Sequence, residues 1–206
     1  MANTLRAGLE SMGVPVQEEQ QEMMLAYLGL LERWNRTYNL TAIRKPADMV
    51  SRHLLDSLSV LPWCTEGRLL DAGTGAGLPG IPLAIANPAL EVMLVDSVGK
   101  KVRFMSHVKR ELGLANIQPV QARLEVFESE KPLDTVISRA FSRLEAFATA
   151  ARHLAGNGTR LLAMKGRRPD EEISELPSWV RVCSVEQLDV PGLHEKRHLV
   201  IMTVNP

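Results

Sequence analysis

The chain has 206 residues, 45% of them hydrophobic, with 24 basic and 24 acidic side chains and a formal net charge of zero. That length fits one α/β domain with a short extension, and the balanced charge argues against a strongly basic nucleic-acid binder without excluding a locally basic face. No run of about 18 apolar residues occurs, the N-terminal Met-Ala-Asn-Thr-Leu-Arg has no apolar stretch, and Cys64 and Cys183 lie far apart, so neither a membrane span, a secretion signal, a disulfide framework nor a metal site is expected. The expectation is a cytoplasmic monomer.

Residues 1–62 read as helical. Leu25, Leu28, Leu31, Trp34 and Tyr38 recur at helical spacing, and Met49 to Val60 forms a second amphipathic run closed by Pro62. This segment is expected as a helical extension packed on a core domain spanning 63–206. His53 and Asp56 fall three apart on one helix face and could pass for a catalytic pair; the plainer reading has them holding the extension onto the core. Trp34 and Tyr38 read as core, with base stacking the alternative.

From residue 68 strands alternate with helices. Strands are predicted at 68–72, 91–96, 117–120, 133–138, 158–165, 180–187 and 197–203, and helices at 79–87, 99–112, 144–154 and 170–176. Such alternation implies a mostly parallel sheet covered on both faces. The last two strands are joined only by the short loop around Pro191-Gly192, so the final strand must be antiparallel.

The most informative stretch is Leu69-Leu-Asp-Ala-Gly-Thr-Gly-Ala-Gly-Leu-Pro-Gly80. A buried strand runs into Gly73, Gly75 and Gly77, where a chain without Cβ atoms can turn sharply and pass close to a ligand. The next strand ends in Asp96, placed to hydrogen-bond a ribose diol. Gly75, Gly77 and Gly80 satisfy the dinucleotide spacing, but counted from the strand end at Gly73 the third position is Leu78. Asp71, two residues before Gly73, completes a pattern that resembles motif I of class I S-adenosylmethionine (SAM) methyltransferases. An acidic group there could favour the amino-acid moiety and the sulfonium. SAM is the preferred ligand over NAD.

Basic residues gather at Lys100–Arg110, Lys165–Arg168 and Lys196–His198. Several follow strand ends, where an open α/β sheet binds ligands, so together they could touch a polyanion. The fourth strand ends in Ser138-Arg139-Ala140-Phe141, facing the methyl group in methyltransferases of this type. It lacks the Asn/Asp-Pro-Pro-Tyr/Phe signature of adenine amine methylation, and no cysteine is placed to attack a pyrimidine. What remains is a nucleophile that needs no deprotonation, of which guanine N7 is one, with arginine suited to guanine O6 and phosphate. A small-molecule methyltransferase stays open; an NAD oxidoreductase would need a Tyr–Lys pair that is absent near the fourth strand.

Several segments together are more restrictive than the glycine loop: Trp34-Asn-Arg-Thr-Tyr-Asn-Leu-Thr41, Arg52-His-Leu-Leu-Asp-Ser-Leu58, Val136-Ile-Ser-Arg-Ala-Phe141, Met164-Lys-Gly166 and Arg197-His-Leu-Val200. In this order they resemble the RsmG (GidB) family of bacterial rRNA guanine-N7 methyltransferases. The resemblance implies a Rossmann-like seven-stranded sheet, SAM as methyl donor, and guanine 527 of 16S rRNA, naked or in a small-subunit particle, as substrate. Residue by residue it implies SAM contacts at Asp71, Gly73, Gly75, Gly77 and Leu78, the ribose on Asp96, and the adenine beside Leu124 and Glu125. Arg139 is expected beside both methyl donor and guanine as the catalytic residue. Lys100, Arg123, Lys165 and Arg197 are expected to line the RNA side.

Overall fold

The computed structural model describes residues 1–156 and 158–205; Asn157 and Pro206, within the predicted core domain, lie outside the described residues. Its centre is a seven-stranded sheet of β1 (Arg68–Ala72), β2 (Glu91–Asp96), β3 (Ile117–Gln121), β4 (Thr135–Ser138), β5 (Arg160–Lys165), β6 (Val180–Leu188) and β7 (Arg197–Val204), in the spatial order β3-β2-β1-β4-β5-β7-β6. β7 runs antiparallel to both neighbours, as the short Pro191-Gly192 connection requires, and the pairs among β1–β5 are parallel. Leu69 to Ala72 of β1 are all buried, which is why this strand reads as a continuous apolar run rather than an alternation.

Helices cover both faces. Besides the short α8 (Asp170–Ser174), α5 (Gly80–Ala86) and α6 (Gly99–Glu111) lie on one side, and α7 (Leu144–Ala151) packs Phe147 and Ala148 on the other. The N-terminal α1 (Ala2–Met12) and α2 (Glu18–Tyr38) join the α5/α6 side. Leu5, Tyr27, Leu28 and Leu31 share one apolar cluster with Ile81, Leu94 and Phe104. Trp34 packs in tilted contact with Phe104 (centroids 5.6 Å) and His107 (5.2 Å), while Tyr38 at the helix end is 40% exposed.

The run predicted as one helix from Met49 is more elaborate. It begins at Pro46, passes from α3 (Pro46–Met49) through a π-helical turn at Val50–Leu55, and ends in α4 (Asp56–Leu58). Such turns are rare and concentrate at functional sites. Elsewhere the corrections are at ends. β4 starts at Thr135 rather than 133; just before it, Asp134 Oδ2 accepts from the Arg68 backbone N–H (2.7 Å) and Leu133 O accepts from Thr159 Oγ1 (2.7 Å). β5 starts at Arg160, and the helix predicted through 154 closes in a 3-10 turn, Arg152–Leu154.

The strand order reverses between β1 and β4. Outside the carboxyl ends of these strands an open α/β sheet has its binding crevice, and the glycine loop and the Ser138–Phe141 segment meet there.

Candidate active site

The loop after β1 is pinned from within. Asp71 is fully buried; its Oδ2 accepts from Thr74 Oγ1 (2.6 Å) and the Gly80 N–H (2.8 Å), while Oδ1 has no hydrogen-bond partner among the described residues. Burial pushes its carboxyl up to about 6, against the pull of those two hydrogen bonds and the Arg139 charge. On the outer side the fully buried Tyr27 of α2 donates to Ala76 O (2.9 Å), and burial raises its hydroxyl pKa. Gly73, Gly75 and Gly77 all have positive φ, at 67°, 64° and 93°.

Two cavities flank the end of β4. The first, about 320 Å³, is bounded by Gly73, Asp96, Lys101, Arg123, Leu124, Glu125 and Ala140. Asp96 is 3% exposed and already accepts three hydrogen bonds, from Gly75 N (2.9 Å) and Lys101 Nζ (3.2 Å) on Oδ2 and from Val98 N (2.9 Å) on Oδ1. It thus braces the loop and the start of α6 while still facing the cavity. A Cβ on Gly73 would lie 2.8 Å from the Ala140 Cβ, so the absent side chain is what keeps this wall open.

The second cavity, about 360 Å³, is bounded by His53, Asp56, Arg139, Lys165, Arg197 and His198, among others. In its wall the Asp56 carboxylate receives Arg139 Nη1 on Oδ2 (2.8 Å) and Arg197 Nε on Oδ1 (2.9 Å). His53 Nδ1 donates to Arg52 O (3.1 Å), so Nε2 of the neutral ring accepts from Thr41 Oγ1 (3.0 Å). Burial, then the nearby Arg139 charge, lowers the His53 pKa to about 4, so it is uncharged near neutrality.

The structure separates residues that the sequence grouped together. Of the expected SAM contacts, Gly73, Asp96, Leu124 and Glu125 border the first cavity; Asp71, Gly75, Gly77 and Leu78 do not. Asp71 points into the loop interior, Leu78 is 4% exposed, and a Cβ on Gly77 would strike Ile81, so these residues shape the loop from behind. Arg139 borders the second cavity while its neighbour Ala140 borders the first. Arg123, expected on the RNA side, borders the first cavity. Lys165 is held by Ser142 O (2.6 Å) and Glu172 (2.9 Å), and Arg197 by Asp56, so neither is a free cation. Lys100 stands on α6 over the β2–β3 half of the sheet, apart from the Lys165 and Arg197 clusters over β5 and β7. Lys101 belongs to the Lys100–Arg110 basic cluster of the sequence, but its bond to Asp96 five residues earlier, and the pairing of Asp56 with two arginines, have no local sequence signal.

An open sheet in this strand order, with a glycine loop and an acid at the switch point, is the architecture of the class I SAM-dependent methyltransferases. Solved structures agree at the level of the fold: a SAM-dependent methyltransferase from Aquifex aeolicus (TM-score 0.59, 18% identity, 87% of this chain and 98% of that one) and TrmN from Thermus thermophilus (0.55, 16%, 75% and 53%). Within that class the chain belongs to the GidB family, rRNA small subunit methyltransferase G, whose model matches residues 20–200. Relatives named ribosomal RNA small subunit methyltransferase G are 51% identical in Pseudomonas aeruginosa over 98% of this chain and 94% of theirs, and 48% identical in Salmonella arizonae over 100% and 99%. Among the described residues no helix is long and apolar enough to cross a membrane, and no three His, Cys, Asp or Glu gather as metal ligands.

Proposed function

We propose that this chain methylates N7 of a guanine in 16S rRNA, guanine 527 in the family's terms, with SAM bound in the first cavity and the guanine in the second. The observation that carries this reading is the partition at the end of β4, where Ala140 faces one cavity and Arg139 the other. The first cavity fits the cofactor: the bare Gly73 wall admits a close approach, Asp96 can accept from a ribose hydroxyl, and Leu124 and Glu125 can flank a base. Bound SAM would supply an electrophilic methyl, whose bond electrons stay on sulfur when the N7 lone pair takes the carbon.

The protein's part is to hold two reactants in line, because no proton leaves N7. Arg139 can donate to guanine O6 or to phosphate without occupying N7, and its planar fork suits either. No general base is required, consistent with a neutral, hydrogen-bonded His53. The helical residues 1–62 serve as one wall of the acceptor cavity through His53 and Asp56.

The test is cleavage chemistry. Small-subunit particles lacking the modification are incubated with the protein and methyl-labelled SAM, and the RNA is treated with borohydride and aniline, which cut at N7-methylguanine. Scission at the labelled nucleotide is the expected result. An intact strand that carries label would mean another acceptor atom and would end this reading.

A further inference from the structure

We infer that Asp56 is a positioning residue for methyl transfer, fixing the Arg139 fork in the acceptor cavity and supplying the negative charge that a cationic product needs. The inference rests on the guanine-N7 reading above. The Asp56 side chain is 3% exposed and each of its oxygens receives a guanidinium. Arg139 Nη1 donates both to Asp56 and to the backbone carbonyl of Arg52 (3.2 Å), so the π-helical turn and α4 together grip one edge of the fork. Among the described residues Nε and Nη2 of Arg139 have no partner, and these are the donors left for substrate. Arg197 is held from the other side by Asp56 and the Lys196 carbonyl (3.0 Å).

The charge argument is independent of the geometry. Transfer moves one positive charge from the sulfonium to the guanine ring: the carbon–sulfur pair stays on sulfur, the N7 pair forms the new bond, and no proton is released. The ring becomes cationic in a cavity that already holds Arg139, Lys165 and Arg197. An arginine that grips O6 before the reaction is repelled by the ring after it. A buried carboxylate between two arginines offsets that repulsion in a place where water screens poorly. Glu172 does the same for Lys165. A strut that merely tied the helical segment to β4 and β7 would need neither the charge nor the free edge of Arg139.

Asp56→Asn keeps the shape and removes the charge. With small-subunit particles as substrate, kcat is expected to fall roughly 10²-fold, the size of effect that a misplaced reacting group produces. The KM for RNA, and the affinity of the cofactor-free protein for an rRNA fragment, should be no weaker than wild type, because the cavity has become more positive. SAM affinity by calorimetry should stay within about threefold. In a double-mutant cycle, Asp56→Asn should slow an Arg139→Ala protein little further, since it acts through that arginine. A strut would instead lower melting temperature, SAM affinity and RNA affinity together and leave kcat of the folded fraction alone; that pattern, or additive effects in the cycle, overturns the inference. Should Asp56→Asn not fold, Asp56→Glu keeps the charge and displaces the fork: kcat at least about tenfold lower with unchanged melting temperature supports the inference, and wild-type kcat overturns it. Loss of aniline cleavage in the wild-type product would instead sink the N7 reading on which all this stands.

Discussion

Gly73 and Gly75 permit a paired test, because they share a backbone conformation and differ in surroundings. Both have φ near the left-handed region, at 67° and 64°. An alanine at either costs about 1–2 kcal/mol of strain, partly offset by about 0.4–1 kcal/mol through a less free unfolded chain. The added Cβ at Gly75 meets nothing within 4 Å, whereas at Gly73 it lies 2.8 Å from the Ala140 Cβ. Carbon atoms rest about 3.5–4.0 Å apart, so Ala140 must recede by roughly 1 Å, taking with it the cofactor wall and the backbone that carries Arg139. A shift of that size can cost about 10²-fold in rate. Gly73→Ala should therefore weaken SAM binding at least about tenfold, or 1.4 kcal/mol, and slow turnover further. Gly75→Ala should lose less stability in urea, through backbone strain alone, and keep SAM affinity within about threefold. Calorimetry on both variants decides. Equal SAM affinities would refute the idea that the Gly73–Ala140 approach shapes the cofactor wall, and leave backbone strain as the only effect.

Asp96→Ala removes three hydrogen bonds at once, so it should lose both thermal stability and SAM affinity, the latter by roughly 1.5–3 kcal/mol for a charge-assisted contact; SAM binding at wild-type strength would rule out a ribose role. Asp71 sets a pH dependence. Its carboxyl is pushed up to about 6 in the folded protein, so the ionised form costs stability above that pH, and the cost disappears as pH falls from 6 towards 4. Against Asp71→Asn as reference, wild type should gain on the order of 1 kcal/mol of urea-derived stability between pH 7.5 and 5; parallel curves would show that Asp71 does not titrate there. Gly166–Arg168 and Lys196–His198 border one cleft of about 920 Å³ that shares Gly166, Arg197 and His198 with the acceptor cavity. Reversing Arg167 and Lys196 to Glu should weaken RNA binding, flatten its salt dependence and spare SAM affinity, whereas Lys100→Glu, over the far half of the sheet, should do less; an unchanged salt slope in the double variant would refute the cleft as a phosphate track.

The central strands β1, β2, β4 and β5 were legible because each is a mainly apolar run, the imprint that a strand buried on both faces leaves; β3 and β6 carry polar residues and lie farther out in the sheet. The site was legible only where one residue type has one use: a glycine at a strand end, an acid at the next strand's tip. Spacing cannot tell which glycine faces the ligand. The sequence pointed to Gly73, Gly75 and Gly77 alike, and only the packing of Ala140 against Gly73 separates them. Asp71 belongs to the motif, yet its carboxylate serves Thr74 and Gly80, a use that depends on how the loop closes on itself. Lys165 and Arg197 read equally as RNA-side cations or as members of ion pairs, because their partners are distant in sequence or easily passed over. Asp56 lies 83 positions from Arg139 and 141 from Arg197, and no local pattern carries such a pairing.

The same distances bear on what the helical residues 1–62 are for. Several polar ties run from them to the rest of the chain, among them the Arg52–Glu195 ion pair at the surface. Gln20 donates to the Ile85 and Ala86 carbonyls at the end of α5, Tyr27 donates to Ala76 in the glycine loop, and Asp56 holds Arg139 and Arg197. Apolar packing alone would have fixed this segment on the sheet, as Leu28, Leu31 and Leu54 show by being buried in the common core. Buried polar contacts add direction that apolar contacts lack, since a hydroxyl or carboxylate left without its partner is costly. Tyr27 ends on the glycine loop and Asp56 on the two arginines of the cavity proposed for the acceptor, while Gln20 ends on the last turn of α5. A segment with no part in catalysis would have no reason to direct its buried polar groups there, and the cost of placing Asp56 in the interior is explained if the two arginines it holds must keep one orientation while a neutral guanine becomes a cation.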